Sequence, residues 1–239
     1  MALYVYSIVA AEHPCRLEGL KGIGAEPGPL RTVAAAGLRA VVSDVHEAVR
    51  PARRDLTAHQ AVQERLMADG TVLPLRFGYT APDEATVTAA LEEGAAAYGA
   101  ALDRLQGCAE FHVKASRDEE SLLREILTDS AQARLLNERI RAGDTDPRLP
   151  LQLGELVAAE VHGRQEALAA DLVRELVPFA RAHAAHPPVE DGKALAVSLS
   201  LLVADDRQEQ FRKAGAELTE RAGDTDVRVT GPLPPYSFV

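Results

Sequence analysis

A chain of 239 residues is long enough for one large core or two small ones. Its formal charge of −10 argues against a nucleic-acid partner, which needs a basic face, and without tryptophan a base-stacking platform is not expected. Cys15 and Cys108 are too few for a disulfide framework or a cysteine-rich metal site. No run approaches bilayer length, and the apolar Met1–Ala11 start has no preceding cation, so a cytoplasmic protein with no membrane partner is expected.

Leu3 to Val9 holds Tyr4, Val5, Tyr6, Ile8 and Val9 and reads as a buried strand. Prolines and glycines punctuate the next stretch. Gly22-Ile23-Gly24 has part of a dinucleotide fingerprint, but Pro27 stands where its third glycine would fall, so a loop is the better reading. Leu30–Ala35 and Leu38–Val45 form a hairpin about Ala36-Gly37. Ser43, Asp44 and His46 lie close in sequence, but strand neighbours point to opposite faces, so a triad is not inferred.

Thr57-Ala58-His59-Gln60 has the form of a capping box, which predicts a helix from there to Asp69 with His59 near its packed face. Gly70 to Tyr79 reads as a mostly apolar strand in which Leu73 and Phe77 are buried and Gly78 turns the chain. Pro74 marks an edge or the end of pairing. Arg76 is a cation among apolar neighbours, and Glu110 is its candidate partner. Pro82-Asp83-Glu84 opens an amphipathic helix that ends at Gly107, and Glu110–Lys114 alternates as a strand.

Ser116–Glu119 is read as a second capping box, opening one helix that runs to Arg141. The hexamer Arg141–Asp146 returns as Arg221–Asp226. Each copy reads as a helix stop at glycine rather than a metal loop. Leu149 to about His186 is predicted as a long helix that Pro178 kinks or ends. His183 and His186 would then sit on a solvated helix end, and with Glu190 they fall short of a metal motif. Lys193 begins a strand pattern continuing to Val203, Asp205 and Gln208 cap a further helix, and Val227–Thr230 is the last strand. The prolines of the ending make it an extended, stiff tail, and its closing Tyr236, Phe238 and Val239 predict docking on the body.

Two segments carry a family resemblance. Val72-Leu73-Pro74-Leu75-Arg76-Phe77-Gly78 resembles the "LPLRFG" segment of the GvpF/GvpL family of gas vesicle accessory proteins. Gly231-Pro232-Leu233-Pro234-Pro235-Tyr236-Ser237-Phe238-Val239 is similar to that family's "GPWPPYNFV" ending, with Leu233 for the usual tryptophan and Ser237 for asparagine. The strand before Asp205 also lacks the family's common tyrosine.

The resemblance implies an α/β (α+β) protein of two domains. These are an N-terminal ferredoxin-like variant over residues 1–115 and a C-terminal α+β domain over 116–230 with long helices, and the tail, 231–239, is docked back on the body. It implies a gas vesicle location, and a role in binding the small apolar shell subunit and assisting nucleation or assembly. Other gas vesicle accessory proteins are possible further partners, and no enzymatic activity or cofactor is implied. The partner-binding or structural signature would be Leu73, Pro74, Arg76, Phe77, Gly78, Glu110, Gly231, Pro232, Pro234, Pro235, Tyr236 and Phe238. Two alternatives stand beside it: a ferredoxin-like module that senses a small molecule, and an enzyme in which His59, Arg76 and Glu110 converge in a cleft.

Overall fold

In the computed structural model, residues 2–46, 49–187 and 195–239 are described. The chain divides into two compact units: Met1–Glu110 together with Pro232–Val239, and Phe111–Gly231. The expected boundaries were 115/116 and 230/231.

The first unit is built on β1 (Ala2–Ala10), a run of tyrosine, valine and isoleucine without proline or glycine. It pairs antiparallel with β3 (Leu38–Val45) on one side. The short β4 (Leu73–Pro74) and β5 (Thr80–Ala81) pair with it on their own account. Outside β3 lies β2 (Arg31–Ala35), giving the order β2-β3-β1-β4. The β2–β3 turn places Ala36 at φ 49° and Gly37 at φ 77°. Two left-handed residues in a two-residue loop match the twist of the strands they join.

Helix α1 (Arg53–Asp69) packs Val62 and Leu66 against Tyr4, Tyr6, Val9 and Val72. A register shift in β1 falls between Val5 and Ser7. This bulge lets two consecutive side chains reach α1: the Tyr6 ring stacks on His59, and the Ser7 hydroxyl donates to Gln63. Helix α2 (Glu84–Leu105) starts at Asp83, whose carboxylate accepts from the Thr86 N–H at 2.8 Å, and buries Val87, Leu91, Leu102 and Leu105.

The second unit holds most of β6 (Cys108–Arg117), then α3 (Glu119–Asp129), α4 (Ala131–Arg141), α5 (Arg148–Leu176), β7 (Ala180–His186), β8 (Leu195–Ala204), α6 (Gln208–Arg221) and most of β9 (Asp226–Leu233). Its sheet has the order β7-β8-β6-β9, with the alternating β8 inside as its pattern predicts. Leu122, Ile126 and Ala133 form a helical core with Leu153, Leu156 and Val157 of α5. Arg164 on α5 ties it to α3 through Glu125 and Asp129. Arg117 holds the same Glu125 at 2.5 Å, and its hydrogen bond keeps that carboxyl below the usual range.

Several expectations are corrected. The strand containing Glu110 does not close the first sheet but joins the second. Helix α1 begins a turn earlier than its supposed capping box, and the Thr57 hydroxyl instead donates to the Arg53 carbonyl within the helix. Ser116 lies in β6, and Asp118 is the true cap, accepting from the Ser121 N–H. The helix expected to reach Arg141 is broken at Ser130, which ends α3 and caps α4.

Pro178 sits in a single 3-10 turn that ends the long helix, so His183 and His186 lie on a strand rather than a helix end. Glu190 and Lys193 fall outside the described residues. Both hexamers do end helices, at Gly143 (φ 84°) and Gly223 (φ 56°).

Candidate functional site

The stretch from Leu73 to Ala81 is not one strand. Leu73 and Pro74 pair with Ile8 and Ser7 at the sheet edge, as a proline requires. The Leu75 N–H donates to the Tyr6 carbonyl and the Val5 N–H to the Tyr79 carbonyl, so the chain stays beside β1 while residues 76–78 swing outward. Gly78, at φ 99°, makes that excursion, and its N–H donates to the Tyr4 hydroxyl at 3.1 Å. Arg76 is exposed, so it needs no buried partner.

The tail returns to this place. Pro232 and Leu233 still belong to β9, at the edge of its sheet, whereas Pro234 and Pro235 are buried. The last residues are not extended. The Tyr236 N–H donates to the Pro234 carbonyl and the Phe238 N–H to the Pro235 carbonyl, so the tail curls. Its Tyr236 hydroxyl lies 3.0 Å from His59 Nε2, across 177 positions of sequence. Nδ1 of the same ring lies 2.9 Å from the Tyr4 hydroxyl. Tyr4, Tyr6, His59 and Phe77 form one aromatic cluster with neighbouring ring centroids 4.8–5.8 Å apart.

This site holds its polar groups neutral. Burial pushes the His59 pKa down to about 4, only partly offset by the Leu75 backbone. Burial likewise raises the phenols of Tyr4 and Tyr6, and that of Tyr236 to about 12. An imidazole wedged between two protonated phenols is a structural joint, and a proton does not leave it readily near neutral pH. Gln63 completes the joint, donating to the Tyr6 carbonyl and accepting from Ser7.

Glu110 is the second anchor of the tail. It is 5% exposed, and it accepts the Ser237 N–H at 2.9 Å and the Ser237 hydroxyl at 2.7 Å. Ser237 thus binds the strand through both its backbone and its side chain. Arg104 donates to the Phe238 carbonyl at 3.1 Å. The expected Arg76–Glu110 pair is overturned: among the described residues Arg76 has no ion-pair partner, and the Glu110 carboxylate is taken up by the tail. Convergence of His59, Arg76 and Glu110 in one cleft is not seen either. His59 and Arg76 line a cavity with Phe77 and Tyr236, and Glu110 is not among its lining residues.

Of the sequence-predicted residues, Phe77, Gly78 and Tyr236 gather around His59 and Tyr4, and Leu73 and Pro74 brace the sheet edge beneath them. Glu110, Pro234, Pro235 and Phe238 hold the tail, while Gly231 and Pro232 are exposed strand residues. Sequence reasoning placed Tyr4 in the first strand without foreseeing its contact with His59, and it missed Gln63 and Arg104. Only the i, i+2 spacing of Tyr4 and Tyr6 hinted that one face of β1 is aromatic. Among the described residues no cluster of three or more histidines, cysteines or acids is placed to hold a metal, and no helix is long and apolar enough to cross a membrane.

Residues 2–239 match the family described as "Gas vesicle synthesis protein GvpL/GvpF". The chain belongs to the GvpL/GvpF family. It is 43% identical to gas vesicle protein F of Streptomyces sp. (strain CB03234), over 100% of both chains. It is 29% identical to gas vesicle protein F of Haloferax mediterranei, covering 99% of this chain and 92% of that one. The fold is that of the GvpF crystal structures from Microcystis aeruginosa (TM-score 0.81, 22% identity, 99% and 98% of the two chains) and Anabaena sp. PCC7120 (TM-score 0.83, 21% identity, 99% and 97%). Membership in the GvpL/GvpF family gives this chain a gas vesicle related role.

Proposed function

We propose that this protein is a cytoplasmic assembly factor that binds the small apolar shell subunit of the gas vesicle and assists its nucleation or incorporation. The observation that carries the reading is that the two family-like segments meet in three dimensions, at the His59 joint, although the first ends at Gly78 and the second begins at Gly231. A fold that spends its tail and its edge strand on one place presents a fixed, partly apolar surface there.

An apolar subunit exposed to water aggregates unless its surface is covered. An acidic partner with a net charge of −10 covers that surface and keeps the complex dispersed by repulsion. Other gas vesicle accessory proteins are the further partners this role calls for.

The test is solubility. The shell subunit is expressed alone and together with this protein, and its soluble fraction is compared. The reading predicts a soluble complex only on co-expression, and an unchanged insoluble fraction counts against it.

A further inference from the structure

Beside the joint, one side of α1 and the Arg76–Phe77 turn border an open groove of about 610 Å³ with Tyr236 as a wall. Its apolar lining is Leu56, Ala61, Phe77 and the Tyr236 ring, and Leu56 is 43% exposed. Two exposed arginines, Arg53 and Arg76, stand on it. Neither guanidinium has a hydrogen-bond or ion-pair partner among the described residues, whereas Arg117 and Arg164 are each gripped by carboxylates. The third charged group, Glu64, accepts a hydrogen bond from Gln60 one turn before it.

We propose that this groove is a docking surface for a peptide segment of a partner protein that presents an apolar side chain next to a carboxylate. The apolar lining takes the side chain, and the planar forks of Arg53 and Arg76 match a carboxylate in two-point geometry. Two cations without a partner among the described residues stand at one groove and are complementary to an anion, in a chain whose 36 acids outnumber its 26 lysines and arginines.

The shape favours a peptide over a small acid. Arg53, Leu56, Gln60 and Glu64 form one stripe of α1, about 16 Å long at 1.5 Å per residue. That length matches about five residues of extended chain. The inference deepens the partner-binding reading and rests on it only in taking the occupant to be a protein.

The test is a selection of random twelve-residue peptides on the immobilised full chain, run in parallel on the Arg53→Glu/Arg76→Glu variant. Both positions are exposed, and a matching circular dichroism spectrum checks that the variant folds. A milder Arg53→Gln/Arg76→Gln variant is the second arm.

The wild type is expected to enrich peptides with Asp or Glu within a few positions of Leu or Phe. Fluorescence anisotropy of an enriched peptide is then expected to show about tenfold weaker binding when its acids become amides, or when either variant replaces the wild type. No enrichment, equal binding of the amide peptide, or unchanged binding to the variants overturns the proposal. Enrichment with no solubilised shell subunit refutes the proposed function and leaves the groove standing. The converse refutes the groove alone.

Discussion

The Tyr236 hydroxyl sits 3.0 Å from His59 Nε2 and joins the last residues of the chain to its first helix. Removing that oxygen leaves a buried ring nitrogen short of its partner. Tyr236→Phe is therefore expected to cost about 1 kcal/mol of stability, the usual worth of a neutral hydrogen bond, because only the Gln63 amide, 3.4 Å away, remains near that nitrogen. Urea denaturation measures it. A variant as stable as the parent would show that the joint is incidental.

Protonation of His59 should weaken the fold. Its folded pKa, about 4, lies below the ordinary histidine value, so the unfolded chain takes up a proton first as pH falls. The contribution is fully present above about pH 6.5 and is lost progressively down to about pH 4, amounting to at most about 3 kcal/mol. His13, also lowered by burial, acts in the same direction. Stability measured against pH should therefore fall through this window in the parent and fall less steeply in His59→Gln. Identical slopes would contradict the assignment.

Glu110 serves the tail and not Arg76. In a double-mutant cycle, Arg76→Glu and Glu110→Arg should add within about 0.5 kcal/mol, with no recovery in the double variant. Glu110→Ala alone should cost about 1.5–3 kcal/mol, since its bonds to Ser237 involve a charged group. It should also speed carboxypeptidase release of Val239 and Phe238. Recovery in the charge swap would restore the ion pair that the structure replaces.

Gly22 belongs to a glycine pair that resembles a cofactor fingerprint, but its reason is close approach. A Cβ there would lie 2.7 Å from Ser43 Oγ and 3.0 Å from the Gly28 carbonyl oxygen. Ser43 is held 3.0 Å from the Tyr6 hydroxyl and cannot simply turn away. Gly22→Ala is expected to destabilise by about 1–3 kcal/mol in thermal or urea unfolding. A neutral result would mean that the loop yields more easily than this packing suggests.

Local rules reached as far as local forces do. The hairpin at Ala36-Gly37, the edge position of Pro74, the Asp83 start of α2 and both hexamer stops were legible because each depends on a few adjacent residues. The partner of Glu110 was not, because both sheets offer antiparallel strands and composition does not say which one β6 joins. Likewise Ala180–His186 reads as helix by its alanines, yet pairing with β8 overrides that propensity. The site itself was half legible: its family-like segments stood out, but the His59–Tyr4–Tyr236 contact that unites them spans the whole chain.

The most direct test of the central claim is a quantitative pull-down of the small apolar shell subunit from co-expressing cells. It compares the intact protein with a form lacking residues 234–239 and with Arg76→Glu, each checked for folding by thermal melting. The account predicts a soluble complex with the intact chain, and reduced recovery with both variants even where they remain folded. A shell subunit that never co-purifies would contradict direct contact. Equal recovery with folded variants would place that contact away from the His59 joint.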